Sequence, residues 1–358
     1  MPGLKWTLQC LVFTLVRASD ASSRALQWLL DCGGHVSKQL RVGRSHGRGL
    51  FATRAIKAGR RLISLPQRCT LCDETLVTES PELQSVADYL RRNATAKAQA
   101  SNKLLLTTFF LQQMESPTGR FAPYLLSLQQ SVRSTITEIP LFWDKPEKAS
   151  LQGTSAAIEL PKMFRAIHRD FEILRAAEPR LAGKHQLAEF RVAFAFVASR
   201  SFTRSNTTAA IYPWIDLLNH PSRIVDGLPF GNSRVEVHES VAGDFEVFLT
   251  SQEAIKAGEE VTMSYGHLSN LELLLRYGFT VPEMHSTCLT KVRIELKSRI
   301  LVLDSCQPVE VDQELRSELR SGLIEALGRY GASGRPTVMA LRTDELDTLR
   351  ALKRRTEL

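Results

Sequence analysis

The chain has 358 residues, 43% of them hydrophobic and 23% charged, and a formal net charge of +8. That length can bury one large core or two ordinary ones, and the composition excludes a disordered, collagenous or low-complexity chain. No run of 18 apolar residues predicts a membrane span. The basic excess is spread thinly, so a solvated surface accounts for it and nucleic-acid binding is not expected.

The first residues, "MPGLKWTLQCLVFTLVRASD", combine one lysine, an apolar stretch and small residues. They read as a weak signal- or transit-like segment or as a loose extension, with cytoplasm or nucleus as the expected compartment and organelle import left open. "SSRALQWLLDCGG" (22–34) predicts a short helix with Leu26, Leu29 and Leu30 at helical spacing and a Gly-Gly stop. "GRGLFATRAIKAGRRLISLP" (47–66) predicts two short strands around a Lys-Ala-Gly turn. From about 80 to 200 helical periodicity takes over.

Strands return after 205. "RVEVHES" and "FEVFLTSQE" predict an antiparallel hairpin turned at "VAGD", and "EEVTMSYG" predicts a further strand. "SNLELLLRYGF" predicts a capped helix closed by glycine, and the last 50 residues predict amphipathic helices. One echo stands out: "AIKAGRRLISL" from 55 and "AIKAGEEVTMSY" from 254. Two copies this far apart are no solenoid, and they predict similar strand–turn–strand units in one sheet-rich fold.

Six cysteines (Cys10, Cys32, Cys69, Cys72, Cys288 and Cys306) are sparse for the length, and their spacing suggests no disulfide framework. The single C-x-x-C, Cys69 to Cys72, lacks a second pair at zinc-ribbon spacing, so buried free thiols and no metal are expected. The sequons at Asn93 and Asn206 matter only in a secreted chain. No G-x-S-x-G elbow, H-E-x-x-H or Walker run is present, and "HGRGLFA" lacks the third glycine of a dinucleotide fingerprint. In "WIDLLNHPSR" an apolar run ends in Asn219–His220. From these residues alone a metal ligand, a catalytic dyad and a satisfied structural histidine all stay open.

Three segments taken together narrow that choice: "GRGLFA" (47–52), "DLLNH" (216–220) and "SYGHLSNLELLLRYGF" (264–279). In this order, with a helical block between the first two, they resemble the SET-domain protein methyltransferases, in the branch typified by plant Rubisco large-subunit lysine methyltransferase. The resemblance covers about residues 25 to 300. It implies an α+β SET fold of small antiparallel sheets with a pseudoknot, a helical insertion and a short C-terminal helical region. The implied organisation is an extension over 1–24, a SET domain over 25–280 with its insertion at about 80–200, and an abbreviated substrate-binding-like region over 281–358.

The implied activity is S-adenosylmethionine-dependent methylation of a lysine on a protein substrate, by a chain expected to be a monomer. Cofactor-binding positions carried over from the resemblance are His46, Gly47, Arg48, Arg200, Asn219, His220 and Phe279, with backbone at the glycine motif approaching the cofactor closely. Leu217 and Leu218 would anchor the Asn–His segment. Tyr265 is the implied catalytic residue, its hydroxyl orienting the amine, and Arg204, Asp216 and Tyr277 fall at substrate-side positions. Zinc-bearing flanking modules of many histone methyltransferases are absent. The family's C-terminal domain is usually longer. A relative that methylates a histidine has Asn and Trp where Phe202 and Ile215 stand here, which favours lysine as the target. A catalytically silent SET-fold binding module and a protein-histidine methyltransferase are the alternatives.

Overall fold

The computed structural model describes residues 18–45, 47–114, 117–241, 243–284, 289–295, 300–304, 313–328 and 335–357. His46 and residues 1–17 of the expected extension lie outside them. Two compact units share the chain. One comprises Met1–Ile136, Arg165–Asn219 and Gly231–Met263, the other Thr137–Phe164, His220–Phe230 and Ser264–Leu358.

The first unit opens with the helix Ala18–Asp31, earlier than its serine pair suggested. Its buried face is Ala21, Ala25 and Leu29, while Leu30 is 41% exposed, because residues four apart share a helix face and residue 30 is turned off that line. Besides a short pair, Phe202–Thr203 with Ala209–Ala210, seven strands build its larger sheets: β1 (His35–Val36), β2 (Leu40–Arg44), β3 (Arg48–Ala52), β4 (Arg61–Pro66), β5 (Ser233–Glu239), β6 (Phe245–Ser251) and β7 (Glu260–Val261). They form two antiparallel sheets, ordered β1-β4-β6-β5 and β7-β3-β2. The expected hairpin is β5–β6, with Phe245 opposite Glu239. Its edge strand β5 carries Arg234, Glu236 and His238, a charged edge that discourages further pairing. The strand expected from "EEVTMSYG" shortens to β7, with Thr262 and Met263 in isolated parallel bridges to Asn219 and Ser233.

β3 and β4, joined by the first Ala-Ile-Lys-Ala-Gly copy, lie in different sheets, and the echo explains how. Ile56 and Ile255 exchange both backbone hydrogen bonds, at 2.8 and 2.9 Å. Around them the bonds repeat as mirror partners. Gly59 N–H donates to Ser251 O and Gly258 N–H to Ala52 O, both at 2.8 Å, while Ala52 N–H donates to Glu259 O and Ser251 N–H to Arg60 O. Each donor or acceptor in one copy has its counterpart at the same offset in the other. The two copies therefore clasp each other about a local two-fold axis, and Gly59 (φ +72°) and Gly258 (φ +81°) supply the left-handed turn residue in each. Similar strand–turn–strand units were expected; that they pair with one another was not.

The core of this unit includes the helix Leu104–Gln113, in which every residue from Leu104 to Leu111 is buried, and the helix Leu187–Ala198, with Phe110 and Phe196 at 5.2 Å between ring centroids. Asn93 is an N-cap rather than an exposed loop residue, its Oδ1 accepting from Ala96 N–H. The cysteine expectation is corrected. Cys32 and Cys69 form a disulfide and Cys72 alone of the C-x-x-C pair remains a buried free thiol. Sequence spacing could not show that the end of the first helix and the segment after β4 meet.

In the second unit the helix Asn270–Tyr277 has the expected cap, Ser269 and Glu272 in reciprocal bonding, and Gly278 at φ +82° as its terminator. A Cβ on Gly278 would overlap Glu138. An antiparallel ribbon, Lys291–Glu295 with Ile300–Asp304, occupies a segment whose pattern gave no prediction. Two helices follow, Gln313–Gly328 and Pro336–Glu357, as the amphipathic pattern implied. Leu319, Leu323, Leu349 and Leu352 close a core over Val292. The last helix is tied down by polar groups: Asp344 accepts from Asn270 and Thr290, and Glu345 accepts from Ser155 N–H. Among the described residues no helix is long and apolar enough to cross a membrane.

Candidate functional site

In the first unit a buried polar cluster forms around Asp216. Trp214 takes a positive φ of 71°, a strained backbone for a bulky residue that persists only where its surroundings enforce it. The tight turn it allows continues into the short helix Ile215–Leu217, with Leu217 and Leu218 buried as anchors. Asp216, its side chain 0% exposed, points inward. Its Oδ2 accepts from Arg200 Nη1 at 3.0 Å and from the Tyr124 hydroxyl at 2.9 Å. Burial first, and the Asp216 charge second, hold the Tyr124 hydroxyl well above the usual phenol range, so it stays a donor. Trp28 of the first helix stacks on Tyr124 at 6.0 Å.

Arg48 enters the same cluster from the start of β3. Its Nη1 donates to Ser127 O at 2.6 Å. Burial, and then the neighbouring Arg200 guanidinium, lower its pKa to about 10. Nε and Nη2 of Arg48 are buried without a hydrogen-bond partner among the described residues, as is Asp216 Oδ1.

Asn219 ends this unit. Its side-chain Nδ2 donates to Glu260 Oε1 at 2.6 Å and more weakly to Arg48 O at 3.4 Å, and its backbone carbonyl accepts from Met263 N–H. With both amide protons engaged, Oδ1 is the group it can offer a ligand. Gly49 is required here, since a Cβ would overlap Glu260 Oε1 and come within 2.9 Å of the Asn219 amide. At Gly47 (φ +153°) a Cβ would meet nothing within 4 Å.

Arg204 stands apart from the cluster. It pairs with Glu74 at 3.1 Å and lies over the Phe245 ring at 4.1 Å. Beside it, burial and then the Glu74 charge raise the pKa of Asp73 to about 7.

The second unit gathers the aromatic candidates. Tyr265 lies 4.7 Å from Tyr277 and 5.1 Å from His220 between ring centroids, with Phe279 at 6.0 Å from both His220 and Tyr277. The capped helix Asn270–Tyr277 and its Gly278 terminator set Tyr277 and Phe279 into place, against Leu273, Val281 and Met284. Tyr265 N–H donates to His220 Nδ1 at 3.1 Å. Burial lowers the His220 pKa to about 4, so the imidazole is neutral and carries its proton on Nε2. That Nε2 is buried without a partner among the described residues. Burial likewise raises the Tyr277 phenol.

Of the residues named from the sequence, Arg48, Arg200, Asp216 and Asn219 thus lie in one unit's polar cluster and its border, and His220, Tyr265, Tyr277 and Phe279 in the other's aromatic cluster. Tyr124 and Glu260 were not among them. Glu260 did leave a signal, because it stands where the first Ala-Ile-Lys-Ala-Gly copy has Arg61. Tyr124 left none, being one aromatic in a helical stretch.

The SET domain family model matches residues 47–266, well over half of the chain. The chain belongs to the SET domain family. Among curated relatives, human N-lysine methyltransferase SETD6 is 25% identical over 267 residues, covering 69% of this chain and 51% of its own length. Mouse SET domain-containing protein 4 is 26% identical over 249 residues, covering 65% and 52%. The chain spans about half the length of these relatives. Among solved structures, the SET domain of LSMT bound to lysine and AdoHcy superposes with a TM-score of 0.74 at 17% identity, covering 96% of this chain and 92% of that one. Rubisco LSMT bound to AdoMet gives 0.72 at 16% identity, covering 94% and 91%. At that identity the likeness establishes the fold, an α+β SET fold of small antiparallel sheets and many helices, as expected.

Proposed function

We propose that this SET domain is an S-adenosylmethionine-dependent protein-lysine N-methyltransferase. The observation that carries the reading is the aromatic cluster of Tyr265, Tyr277 and Phe279 around a neutral, tautomer-fixed His220. Support comes from relatives named as N-lysine methyltransferases and from a structural neighbour bound to lysine and AdoHcy.

The residues present fit the cofactor. His220 Nε2–H and the Arg48 Nε and Nη2 groups are buried donors lacking partners among the described residues, the kind of group that a polar ligand satisfies. In the first unit Gly47, Arg48, Arg200 and Asn219 are the candidates to contact it, and in the second His220 and Phe279. S-adenosylmethionine, when bound, supplies the methyl group from a sulfonium. A target lysine must reach the reaction neutral, which near pH 7.4 costs about 4 kcal/mol. Apolar ring faces lower an amine's pKa by desolvation. Tyr265 orients the amine with its hydroxyl, and Tyr277 flanks it as a protonated phenol that acts by hydrogen bonding rather than as a base. Asp216 fixes Arg200, and Arg204 lies toward the substrate side. The helices Gln313–Gly328 and Pro336–Glu357 belong to the short C-terminal region that presents the protein substrate.

Calorimetric titration with S-adenosylhomocysteine tests the reading. Saturable binding is expected, and the absence of any affinity would sink it.

A further inference from the structure

The family resemblance implies a backbone role for Arg48, and its side chain is also placed to meet a ligand. Within the first unit, the flanking backbone is fixed on one side, because Gly49 packs under Glu260 and Asn219 and the Arg48 carbonyl accepts from Asn219. The side chain turns inward, and its two edges are used differently. Nη1 is held by Ser127 O. Nε and Nη2, which form the opposite edge, are buried without a hydrogen-bond partner among the described residues. Two parallel N–H groups on one guanidinium edge match the two oxygens of a carboxylate.

Asp216, the carboxylate of this cluster, has its Oδ2 engaged by Arg200 Nη1 and by the Tyr124 hydroxyl. A buried guanidinium edge left without a partner is costly, and an anion joining it removes that cost.

We propose that the free edge of Arg48, beside Arg200, binds a carboxylate. Resting on the methyltransferase reading, the carboxylate is that of the amino-acid end of S-adenosylmethionine. Arg48 is then a specificity residue for a cofactor bearing that group.

The test measures affinity for S-adenosylhomocysteine and for its decarboxylated analogue, in the wild type, Arg48→Leu and Arg48→Lys, with ligand-free melting temperatures alongside. The wild type should favour the carboxylate-bearing ligand. Arg48→Leu should lose about tenfold or more in affinity for it, the scale of a charged hydrogen bond, with little change for the analogue. Its ligand-free melting temperature should hold or rise, since a buried guanidinium edge left without a partner has gone. Should Arg48→Leu fail to fold, Arg48→Lys decides, because a single ammonium cannot supply the parallel pair and should narrow the discrimination. Undiminished discrimination in the variants, or equal losses for both ligands, would overturn the assignment and leave the nitrogens to internal water. A wild type that binds neither ligand overturns the methyltransferase reading itself, and this assignment with it.

Discussion

Tyr265 N–H donates to His220 Nδ1, and this one bond determines which imidazole nitrogen carries the proton. With Nδ1 an acceptor and the pKa lowered to about 4 by burial, His220 presents a fixed Nε2–H donor at every physiological pH. Binding of S-adenosylhomocysteine should therefore show no transition near pH 6.5, the value of an ordinary histidine. Stability should behave differently. The folded pKa is depressed, so as pH falls from 6.5 toward 4 the unfolded chain gains a proton that the folded chain does not, and this contribution is lost over that window. His220→Gln should remove that part of the slope in a pH series of melting curves. An affinity curve bending at pH 6.5 would contradict the tautomer assignment.

Tyr265 tests the division between chemistry and binding. Tyr265→Phe keeps the ring against Tyr277 and keeps the backbone bond to His220, removing only the hydroxyl. Turnover should fall by about 10²-fold, the scale of a positioned polar group acting on the reacting atoms, while affinity for S-adenosylhomocysteine stays within about twofold. Equal losses in both would mean the residue is structural.

Glu260 should matter to binding through Asn219, whose amide it fixes at 2.6 Å. Asn219→Ala should weaken S-adenosylhomocysteine binding by about tenfold, the scale of one hydrogen bond with its desolvated partner. Glu260→Ala should weaken it too, and the double variant should lose little more than the worse single one, because the two act as one unit. Strict additivity in that cycle would show that Glu260 acts by another route.

Asp73 provides a pH test away from the proposed chemistry. Its folded pKa is raised to about 7 by burial and the Glu74 charge. The folded state then holds a proton that the unfolded state has lost, so this group's cost to stability grows from about pH 4 to pH 7 and levels off above. Asp73→Asn should raise the melting temperature at pH 8, with the gain shrinking toward pH 4. A gain independent of pH would reject the burial argument.

Local periodicity made much of this fold legible: the β5–β6 hairpin with its glycine-bearing turn, the capped helix before Gly278, and the helical block. Pairing between distant segments was harder to see. The two Ala-Ile-Lys-Ala-Gly copies were visible as a repeat, yet nothing in a repeat says that its copies clasp each other through Ile56 and Ile255. Cys32 and Cys69 are likewise brought together by the packing of a helix on a sheet, which spacing does not encode. At the site, the resemblance supplied the order of motifs, and so Asn219, His220, Tyr265, Tyr277 and Phe279. It carried no information about Tyr124 and Glu260, whose parts depend on which buried group each one meets. Arg204 shows the converse, since the structure has it paired with Glu74 and stacked on Phe245, apart from the Arg200–Asp216 cluster.

Methyl transfer to a lysine is tested most directly by its product. Purified chain incubated with isotope-labelled S-adenosylmethionine and a cell lysate, followed by mass spectrometry of the labelled proteins, should place label on lysine Nζ, and the Tyr265→Phe chain should leave it largely absent. Label on histidine, label equally strong with Tyr265→Phe, or no transfer by a chain shown to bind S-adenosylhomocysteine would contradict the account.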